Sequence, residues 1–325
     1  MSAADSVVLV TARSFGGARP ELRARLETAV REVRWNELGR PLRADELSAA
    51  LQGVDGVIAG VDRFDAGVIE SAARLRVIAR YGTGTEGIDL AAARRRGMIV
   101  TNTPGANAEA VAELAIGLMF ALARRIVAAD RRARAGAYGP LPGVQLKGRT
   151  VGVIGLGHVG AAVVRRAAAL GCRVLGFDPA LDAEQVGATP ASFEQAVAEA
   201  DFLTLHVPVT PHTRDMVDAD LLGRMKEGAH LINTARGELV VEADLLAALE
   251  SGRIGGAALD ALRDEPPDPG HPLLARDDVV ITPHIGAATE EARAAMGQMA
   301  LDDLLAVLDG RPPRHPVGGP EGGHG

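Results

Sequence analysis

The sequence predicts an α/β protein built from two doubly wound parallel-sheet domains. The chain has 325 residues, which is more than one hydrophobic core usually holds. Short runs rich in β-branched residues alternate with helical stretches rich in alanine, leucine and arginine. The runs fall into two successive series, so each series can form a sheet of its own.

The strands are predicted where apolar runs of strand length stand between helical segments. In the first series they cover residues 7–10, 56–59, 77–79 and 98–100. In the second they cover residues 151–154, 173–177, 202–206, 230–233, 257–260 and 279–281. Strands that alternate with helices pair in parallel and are buried on both faces.

Between the two series, a single helix is predicted over 107–135, followed by a turn segment at 136–148 that is rich in glycine and proline. Ser192 and Gln195 form a capping-box pattern, Gly228 can end the helix that begins near Asp218, and Thr289 opens a helix to about residue 308. The tail from Arg311 carries prolines and glycines and is expected to be disordered. The two long helices suggest a discontinuous domain of residues 1–103 and 290–325 around a domain of residues 104–289.

Composition excludes several classes of function. The formal net charge of −7 offers no basic field for nucleic acid, and no apolar stretch reaches the length that spans a bilayer. The single cysteine, Cys172, excludes an intrachain disulfide framework and a cysteine-rich zinc site, and no metal is expected. Because no secretory signal pattern opens the chain, a cytoplasmic protein is expected.

A glycine-rich motif predicts a dinucleotide site. Gly155, Gly157 and Gly160 follow a predicted buried strand and open a helix, and Asp178 ends the next strand about 20 residues on. The glycines allow a tight turn, close approach of a pyrophosphate and close helix packing, while the helix start binds the anion. A carboxylate at position 178 can accept hydrogen bonds from ribose hydroxyls and repels a 2′-phosphate, so NAD is favoured over NADP. His158 and Val159, in the same turn, join the predicted cofactor contacts.

Three further motifs end later strands of the second series, where open α/β sheets bind ligands. They are residues 232–237 (INTARG), 258–267 (ALDALRDEPP) and 282–289 (TPHIGAAT). With the glycine motif they resemble the D-2-hydroxyacid dehydrogenase family, and most closely its phosphoglycerate-dehydrogenase-like branch. The resemblance implies a Rossmann NAD-binding domain inserted in a flavodoxin-like substrate domain.

The resemblance also implies the catalytic residues. Arg236 is expected to hold the substrate carboxylate and polarise the keto oxygen, His284 to act as acid and base, and Glu265 to pair with His284. The chemistry suits these types, since a guanidinium matches a carboxylate and a histidine exchanges protons near neutral pH. Taken singly, each has a structural alternative: a surface ion pair, a loop charge or a strand-end histidine.

Further contacts follow from the same resemblance. Asp260 is expected at the nicotinamide carboxamide. The rest of the cofactor pocket is predicted to comprise His206, Val207, Pro208, Thr234, Ala235 and Gly286. In the first domain, backbone amides of Thr83 and Gly84 are expected to receive the substrate carboxylate. Asn107 is interpreted either as a substrate contact or as a helix N-cap.

One departure from the branch bears on the substrate. Phosphoglycerate dehydrogenases tend to bring a basic residue toward the substrate phosphate, and the matching position here is Gly60, with Arg63 close by. The expected reaction is therefore NAD-dependent interconversion of a small D-2-hydroxy acid and its 2-keto acid, either phosphoglycerate-dehydrogenase-like or glyoxylate/hydroxypyruvate-reductase-like. The alternative is an NAD(H)-sensing, corepressor-like binding protein on the same fold. By the resemblance a homodimer is expected.

Overall fold

The structure is a computed structural model, and it describes residues 2–318. The strands, in chain order, are β1 (Val7–Val10), β2 (Glu32–Trp35), β3 (Gly56–Ala59), β4 (Val77–Arg80), β5 (Ile99–Thr101), β6 (Thr150–Ile154), β7 (Arg173–Phe177), β8 (Thr189–Pro190), β9 (Phe202–Leu205), β10 (Ala229–Asn233), β11 (Ile254–Leu259) and β12 (Val279–Ile281). The helices, in chain order, are α1 (Pro20–Ala29), α2 (Ala44–Ala50), α3 (Ala66–Ser71), α4 (Leu90–Arg95), α5 (Ala108–Ala123), α6 (Ile126–Arg134), α7 (His158–Ala169), α8 (Phe193–Glu199), α9 (Ala219–Arg224), α10 (Glu242–Glu250) and α11 (Glu290–Leu308).

The chain divides into two compact units. Unit 1 comprises Met1–Asn107 and Ala288–Gly325, and unit 2 comprises Ala108–Ala287. Unit 1 is therefore discontinuous in sequence, and its boundaries differ from the predicted ones by a few residues. Which unit binds substrate and which binds NAD does not follow from this division alone.

Unit 1 contains a five-stranded sheet in the order β2-β1-β3-β4-β5, with parallel pairing throughout. This is the flavodoxin-like order, which confirms the predicted fold of this unit. β2 was not predicted from the sequence. Its four residues are charged or half-exposed because it lies at the sheet edge, so the strand lacks the apolar run that marks the others.

Unit 2 contains a seven-stranded parallel sheet in the order β12-β11-β10-β9-β6-β7-β8. The strand order reverses at β6, so a crevice opens between the carboxyl ends of β6 and β9, as in the Rossmann fold. This confirms the predicted architecture of the unit. β8, the other strand not predicted, has only two residues and both are exposed.

The core of unit 2 lies on both faces of its sheet. Leu231 and Ile232 are adjacent in β10 and fully buried, yet they belong to different hydrophobic clusters on opposite faces. Successive side chains of a strand point to opposite faces, so both must be apolar where helices cover each face. Continuous apolar runs such as β9 and β10 follow from this.

The helix caps agree with the sequence patterns in most places. The Thr289 side chain accepts from the Ala292 amide at 3.1 Å and begins α11, and Ser192 accepts from the Gln195 amide at 3.1 Å and begins α8. Asp218 caps α9 in the same way. The Gly228 prediction was wrong, because α9 already ends at Arg224 and Gly228 lies in the turn before β10.

The predicted single helix over 107–135 is two helices. α5 ends at Ala123, whose carbonyl accepts from the Val144 amide at 2.7 Å instead of continuing the helical ladder. Arg125 then adopts a left-handed conformation with φ of 51°, and α6 starts after it. The contact with residue 144 is distant in sequence, so no local pattern indicates the break.

The predicted disorder from Arg311 onward was wrong for residues 311–318. The Val317 amide donates to the Val100 carbonyl at 2.8 Å, and Pro316 forms an antiparallel bridge with Thr101 at the edge strand β5. The remainder of that prediction lies outside the described residues. No helix within residues 2–318 has the length and apolar character needed to cross a bilayer.

Candidate active site

The predicted site residues of unit 2 follow the carboxyl ends of parallel strands, which meet at one edge of the sheet. Gly155 follows β6, Asp178 follows β7, and His206 follows β9. The β10 end is followed by Thr234, Ala235 and Arg236, the β11 end by Asp260, and the β12 end by the turn that carries His284. The sheet therefore brings segments distant in sequence to a common edge.

The glycine turn between β6 and α7 is shaped by close backbone approaches. A Cβ atom at Gly155, whose φ is 92°, would lie 2.4 Å from the His206 carbonyl oxygen, and one at Gly160 would lie 1.9 Å from the Gly155 carbonyl oxygen. Gly157, at the N-cap of α7, has no other protein atom within 4 Å of its Cβ position. The turn thus leaves open space at a helix N-terminus, which fits a pyrophosphate. His158 is exposed and Val159 half-buried in the first turn of α7.

Asp178 ties this turn to the end of β7. One carboxylate oxygen accepts from the Leu156 amide at 2.9 Å, and the other accepts from the amides of Ala180 and Leu181 at 2.8 and 3.1 Å. A carboxylate has about four lone-pair sites, so acceptor capacity remains for a ribose hydroxyl. The structure therefore gives Asp178 an organising role besides the predicted one.

Two buried polar atoms near these strand ends have no hydrogen-bond partner among the described residues: His206 Nδ1 and Thr234 Oγ1. The other His206 nitrogen, Nε2, lies 2.9 Å from Thr204 Oγ1, and burial lowers the pKa of His206 to about 3. The ring is therefore neutral at physiological pH. Unpaired buried polar atoms are costly unless a ligand satisfies them, so both atoms fit a polar cofactor.

The remaining predicted pocket residues lie close by in sequence and space. A Cβ atom at Gly155 would come within 2.8 Å of a Val207 methyl, and the Pro208 carbonyl accepts from Thr213 Oγ1 at 2.7 Å. The Val207 contact places the start of the segment after β9 beside the glycine turn.

Asn233, at the end of β10, shapes the turn that presents Arg236. This fully buried side chain accepts from the Ala235 amide at 3.0 Å and donates to the Arg236 carbonyl at 2.7 Å. The Arg236 guanidinium is half-buried and donates to the Ala235 carbonyl at 2.8 Å. Sequence reasoning quoted Asn233 within its motif but assigned it no role, although a buried amide next to a turn is a recognisable signal.

Gly237 lets the Arg236 turn approach the loop that carries Glu265. A Cβ atom at Gly237 would lie 2.0 Å from the Leu262 carbonyl carbon and 2.3 Å from the Arg263 nitrogen. Any larger residue would therefore push the two loops apart. This glycine is needed for close approach.

His284 and Glu265 form a hydrogen-bonded pair. His284 Nδ1 lies 2.8 Å from one Glu265 carboxylate oxygen and 3.1 Å from the other. Because a carboxylate only accepts, Nδ1 carries the proton in this pair, which leaves Nε2 for a reactant. The predicted pairing of these two side chains is thus present in the structure.

The hydrogen bond shifts the pKa values of His284 and Glu265 in the directions that favour the charged form of each side chain. The hydrogen bond and charge of Glu265 raise the pKa of His284, against the opposing effects of burial and of Arg236. Burial alone would raise the pKa of Glu265, but the hydrogen bond and charge of His284, the Leu262 amide and the charge of Arg236 lower it below its ordinary value. The effect of Arg236 on both groups means that the three side chains lie within electrostatic reach of one another.

Asp260 organises the turn that carries His284. Its carboxylate is buried and accepts from Thr282 Oγ1 at 2.6 Å and from the amides of Ile285 and Gly286, both at 2.8 Å. His284 itself has a φ of 52°, a strained conformation for a residue with a side chain. The hydrogen bonds to Asp260 hold the backbone on both sides of His284 in this conformation.

The predicted substrate loop belongs to unit 1. Thr83 and Gly84 follow β4 and are half-buried, and Thr83 Oγ1 lies 3.4 Å from Asn107 Oδ1 and from the Thr103 carbonyl. Both bonds are long and weak. The role of Asn107, as substrate contact or N-cap, stays a prediction.

Comparisons with known proteins identify the family. Residues 116–286 match the model of the "D-isomer specific 2-hydroxyacid dehydrogenase, NAD binding domain". The chain belongs to the D-isomer specific 2-hydroxyacid dehydrogenase family. As a member of this family it is an NAD-dependent oxidoreductase, and the cofactor of unit 2 is NAD.

Individual relatives agree with this assignment of the dehydrogenase. A D-3-phosphoglycerate dehydrogenase of Archaeoglobus fulgidus is 41% identical over 80% of the chain, which spans only 50% of that relative's length. A glyoxylate reductase of Korarchaeum cryptofilum is 41% identical, with 78% of this chain and 79% of that protein aligned. The crystal structure of the TT0316 protein from Thermus thermophilus has a TM-score of 0.86 and 41% identity, covering 96% of this chain and 99% of that one.

Proposed function

We propose that this dehydrogenase interconverts a small, unphosphorylated D-2-hydroxy acid and its 2-keto acid, of the size of glyoxylate or hydroxypyruvate. The observation that carries the proposal is the His284–Glu265 pair with Arg236 in electrostatic reach, at the edge of an NAD-binding sheet. This is the set of groups that proton transfer to a carbonyl beside a carboxylate requires.

In the direction of reduction, we assign each residue one task. The Arg236 guanidinium binds the substrate carboxylate and stabilises negative charge that develops on the keto oxygen. Protonated His284 donates its Nε2 proton to that oxygen, while ionised Glu265 keeps Nδ1 protonated and stabilises the charged ring. NADH, when bound by unit 2, would supply the hydride that the keto carbon accepts. Oxidation runs the same steps in reverse, with neutral His284 as the base.

The cofactor contacts follow from the same arrangement. We assign the pyrophosphate to Gly155, Gly157 and Gly160 with the first turn of α7 at His158 and Val159, and the adenosine ribose to Asp178. The rest of the cofactor pocket is assigned to His206, Val207, Pro208, Thr234, Ala235, Asp260 and Gly286. The unpaired atoms of His206 and Thr234 support this assignment, because a bound cofactor would satisfy them.

An unphosphorylated substrate is supported by the surroundings of Gly60. A Cβ atom there would lie 3.0 Å from the Thr11 carbonyl oxygen and 3.2 Å from a carboxylate oxygen of the buried Asp62. The position that holds a basic residue in phosphoglycerate dehydrogenases is thus crowded and lies beside an acidic group. The basic side chain that would attract a substrate phosphate is therefore absent at this position.

The deciding experiment is an NADH-oxidation screen against glyoxylate, hydroxypyruvate, pyruvate, larger 2-keto acids and 3-phosphohydroxypyruvate. We expect turnover with a small unphosphorylated acid, and a lower kcat/KM for 3-phosphohydroxypyruvate than for hydroxypyruvate. His284→Ala should lower kcat by about 10²- to 10⁴-fold without weakening NADH binding, whereas Arg236→Ala should affect both KM and kcat. Preference for the phosphorylated acid, or near-parent turnover by His284→Ala, would refute the proposal.

We further propose that the protein is a cytoplasmic homodimer that binds neither nucleic acid nor membrane. The net charge of −7 supports the absence of nucleic-acid binding. The dimer rests on family resemblance, and a monomer in sedimentation at micromolar concentration would contradict it. The alternative of a corepressor-like binding protein finds no support in the comparisons, since both curated relatives described above are named as enzymes.

A further inference from the structure

The substrate loop of unit 1 presents two successive backbone amides without protein acceptors. Within residues 2–318, neither the Thr83 nor the Gly84 N–H donates to a protein group. Adjacent unpaired amides form a concave site for an anion. The direction in which these amides point must be fixed by other groups, because the loop is not part of a helix or strand.

Asn102 helps to fix that direction, beside Arg80, whose Nε donates to the Gly84 carbonyl at 3.0 Å. The Asn102 side-chain Nδ2 donates to the Thr83 carbonyl at 2.8 Å. The Thr83 carbonyl and the Gly84 N–H belong to one planar trans peptide group, so they point in opposite directions. A side chain that holds the carbonyl on one side therefore aims the Gly84 N–H to the other.

Asn102 is in turn held by the C-terminal strap, residues 314–317. The Asn102 backbone amide donates to the His315 carbonyl at 3.3 Å. The buried carboxylate of Asp303 on α11 accepts from the Arg314 amide at 2.7 Å and from His315 Nδ1 at 2.8 Å. A continuous series of hydrogen bonds thus runs from α11 through the strap and Asn102 to the peptide group between Thr83 and Gly84.

We propose that Asn102 is a positioning residue for the substrate carboxylate, and that the C-terminal strap keeps Asn102 in place. The inference rests on the proposed function and on the expectation from family resemblance that the amides of Thr83 and Gly84 also receive the substrate carboxylate. Asn102 acts through the loop and does not itself touch the reacting atoms. Its loss affects binding of the keto acid and leaves cofactor binding unchanged.

The test compares Asn102→Ala with a matched control, Asn36→Ala. Asn36 is also a half-buried asparagine of unit 1, and its Nδ2 donates to the Arg40 carbonyl at 2.8 Å, next to the opposite edge strand β2. With the best keto acid from the screen, Asn102→Ala should raise KM about tenfold, as expected for loss of one hydrogen bond at an anion site, with kcat changed far less. The NADH dissociation constant should stay at the parent value. Asn36→Ala should leave KM, kcat and the NADH dissociation constant unchanged.

His315→Ala provides a second variant, which removes the side-chain hydrogen bond to Asp303 but keeps the strap backbone and the bond from the Arg314 amide to Asp303. It should raise KM for the keto acid in the same direction, by a smaller factor. Hydrogen exchange of the segment 99–106 supplies a readout independent of turnover, and should be faster in both variants than in the parent and in Asn36→Ala.

An unchanged KM in Asn102→Ala, or an equal loss of affinity for NADH, would overturn the proposal. If Asn102→Ala does not fold, an unchanged KM in His315→Ala together with faster exchange at 99–106 would overturn it as well. If the parent protein reduces no acid of the panel, the proposed function is refuted. Hydrogen exchange at 99–106 then tests the second proposal by itself, because unchanged exchange in both variants would exclude the role of Asn102 and the strap.

Discussion

At the residue scale, His284 shows how far sequence can predict a side chain that we propose to be catalytic. Its type, its place after a strand and its pairing with Glu265 were predictable from the motifs. The positive φ of His284 and the three hydrogen bonds by which Asp260 holds its turn were not. Backbone amides carry no sequence signal, so a carboxylate that binds them is not distinguishable in sequence from one that contacts a ligand. Asn233 differs, because an amide side chain next to a turn is a signal in the sequence itself, although only the structure shows its bonds to the Ala235 amide and the Arg236 carbonyl.

Glu265→Gln should shift the alkaline loss of keto-acid reduction to a lower pH than in the parent. In the proposed mechanism reduction uses protonated His284, whose pKa is raised chiefly by its hydrogen bond to Glu265, so the rate should fall as pH rises through that pKa. Glutamine keeps the shape but removes the charge, so the pKa of His284 falls and the alkaline limb of kcat/KM moves toward acid.

Profiles of kcat/KM against pH for the parent and Glu265→Gln measure the shift. His284→Ala serves as the reference, because a variant without the imidazole should lack this limb. An alkaline limb that stays in place, or that moves toward higher pH in Glu265→Gln, would show that the pair does not control the proton transfer.

At the element scale, sequence located the strands of the sheet interiors and missed those whose burial is incomplete. β2 and β8 lie at sheet edges and lack apolar runs. The ends of α5 and the order of residues 311–318 depend on contacts with distant segments, namely Val144 and the edge strand β5. Local periodicity reports which face a segment buries, and it carries no information about a partner far along the chain.

Asp178 connects the glycine turn to the end of β7, and this position leads to a prediction about the cofactor. We expect Asp178→Asn to narrow the preference for NADH over NADPH by about tenfold, because it removes a charge that repels the 2′-phosphate and one hydrogen-bond acceptor. Asp178→Ala should weaken NADH binding further, since the amides of Ala180 and Leu181 also lose their acceptor.

Dissociation constants for both cofactors, measured by NADH and NADPH fluorescence, provide the comparison. Asp182→Ala is the matched control, because Asp182 is a nearby exposed carboxylate that accepts from the Glu184 amide at 3.0 Å. If Asp178→Asn and Asp182→Ala discriminate equally between NADH and NADPH, Asp178 does not contact the cofactor.

At the scale of the whole molecule, the two series of apolar runs were enough to predict two parallel sheets, and the family assignment agrees with them. The strand orders themselves required the structure, because strands of one series resemble each other in sequence. What distinguishes unit 2 is the crevice where strand order reverses, and the glycine turn lies there.

This division into units predicts where NADH stabilises the molecule. A ligand that binds only the folded state adds RT ln(1 + [L]/Kd) to the free energy of unfolding, about 2.7 kcal/mol at 100 times Kd. The predicted contacts lie in unit 2, so hydrogen exchange should slow in β6, β7 and β9 and in the turn 155–160. The strands β1, β3 and β4 of unit 1 should exchange as in the free protein. NADPH at the same concentration is the matched control and should protect far less, because Asp178 repels its 2′-phosphate. Equal protection of both sheets would place the cofactor contacts elsewhere than the crevice beside β6. Equal protection by the two cofactors would show that Asp178 does not exclude the 2′-phosphate.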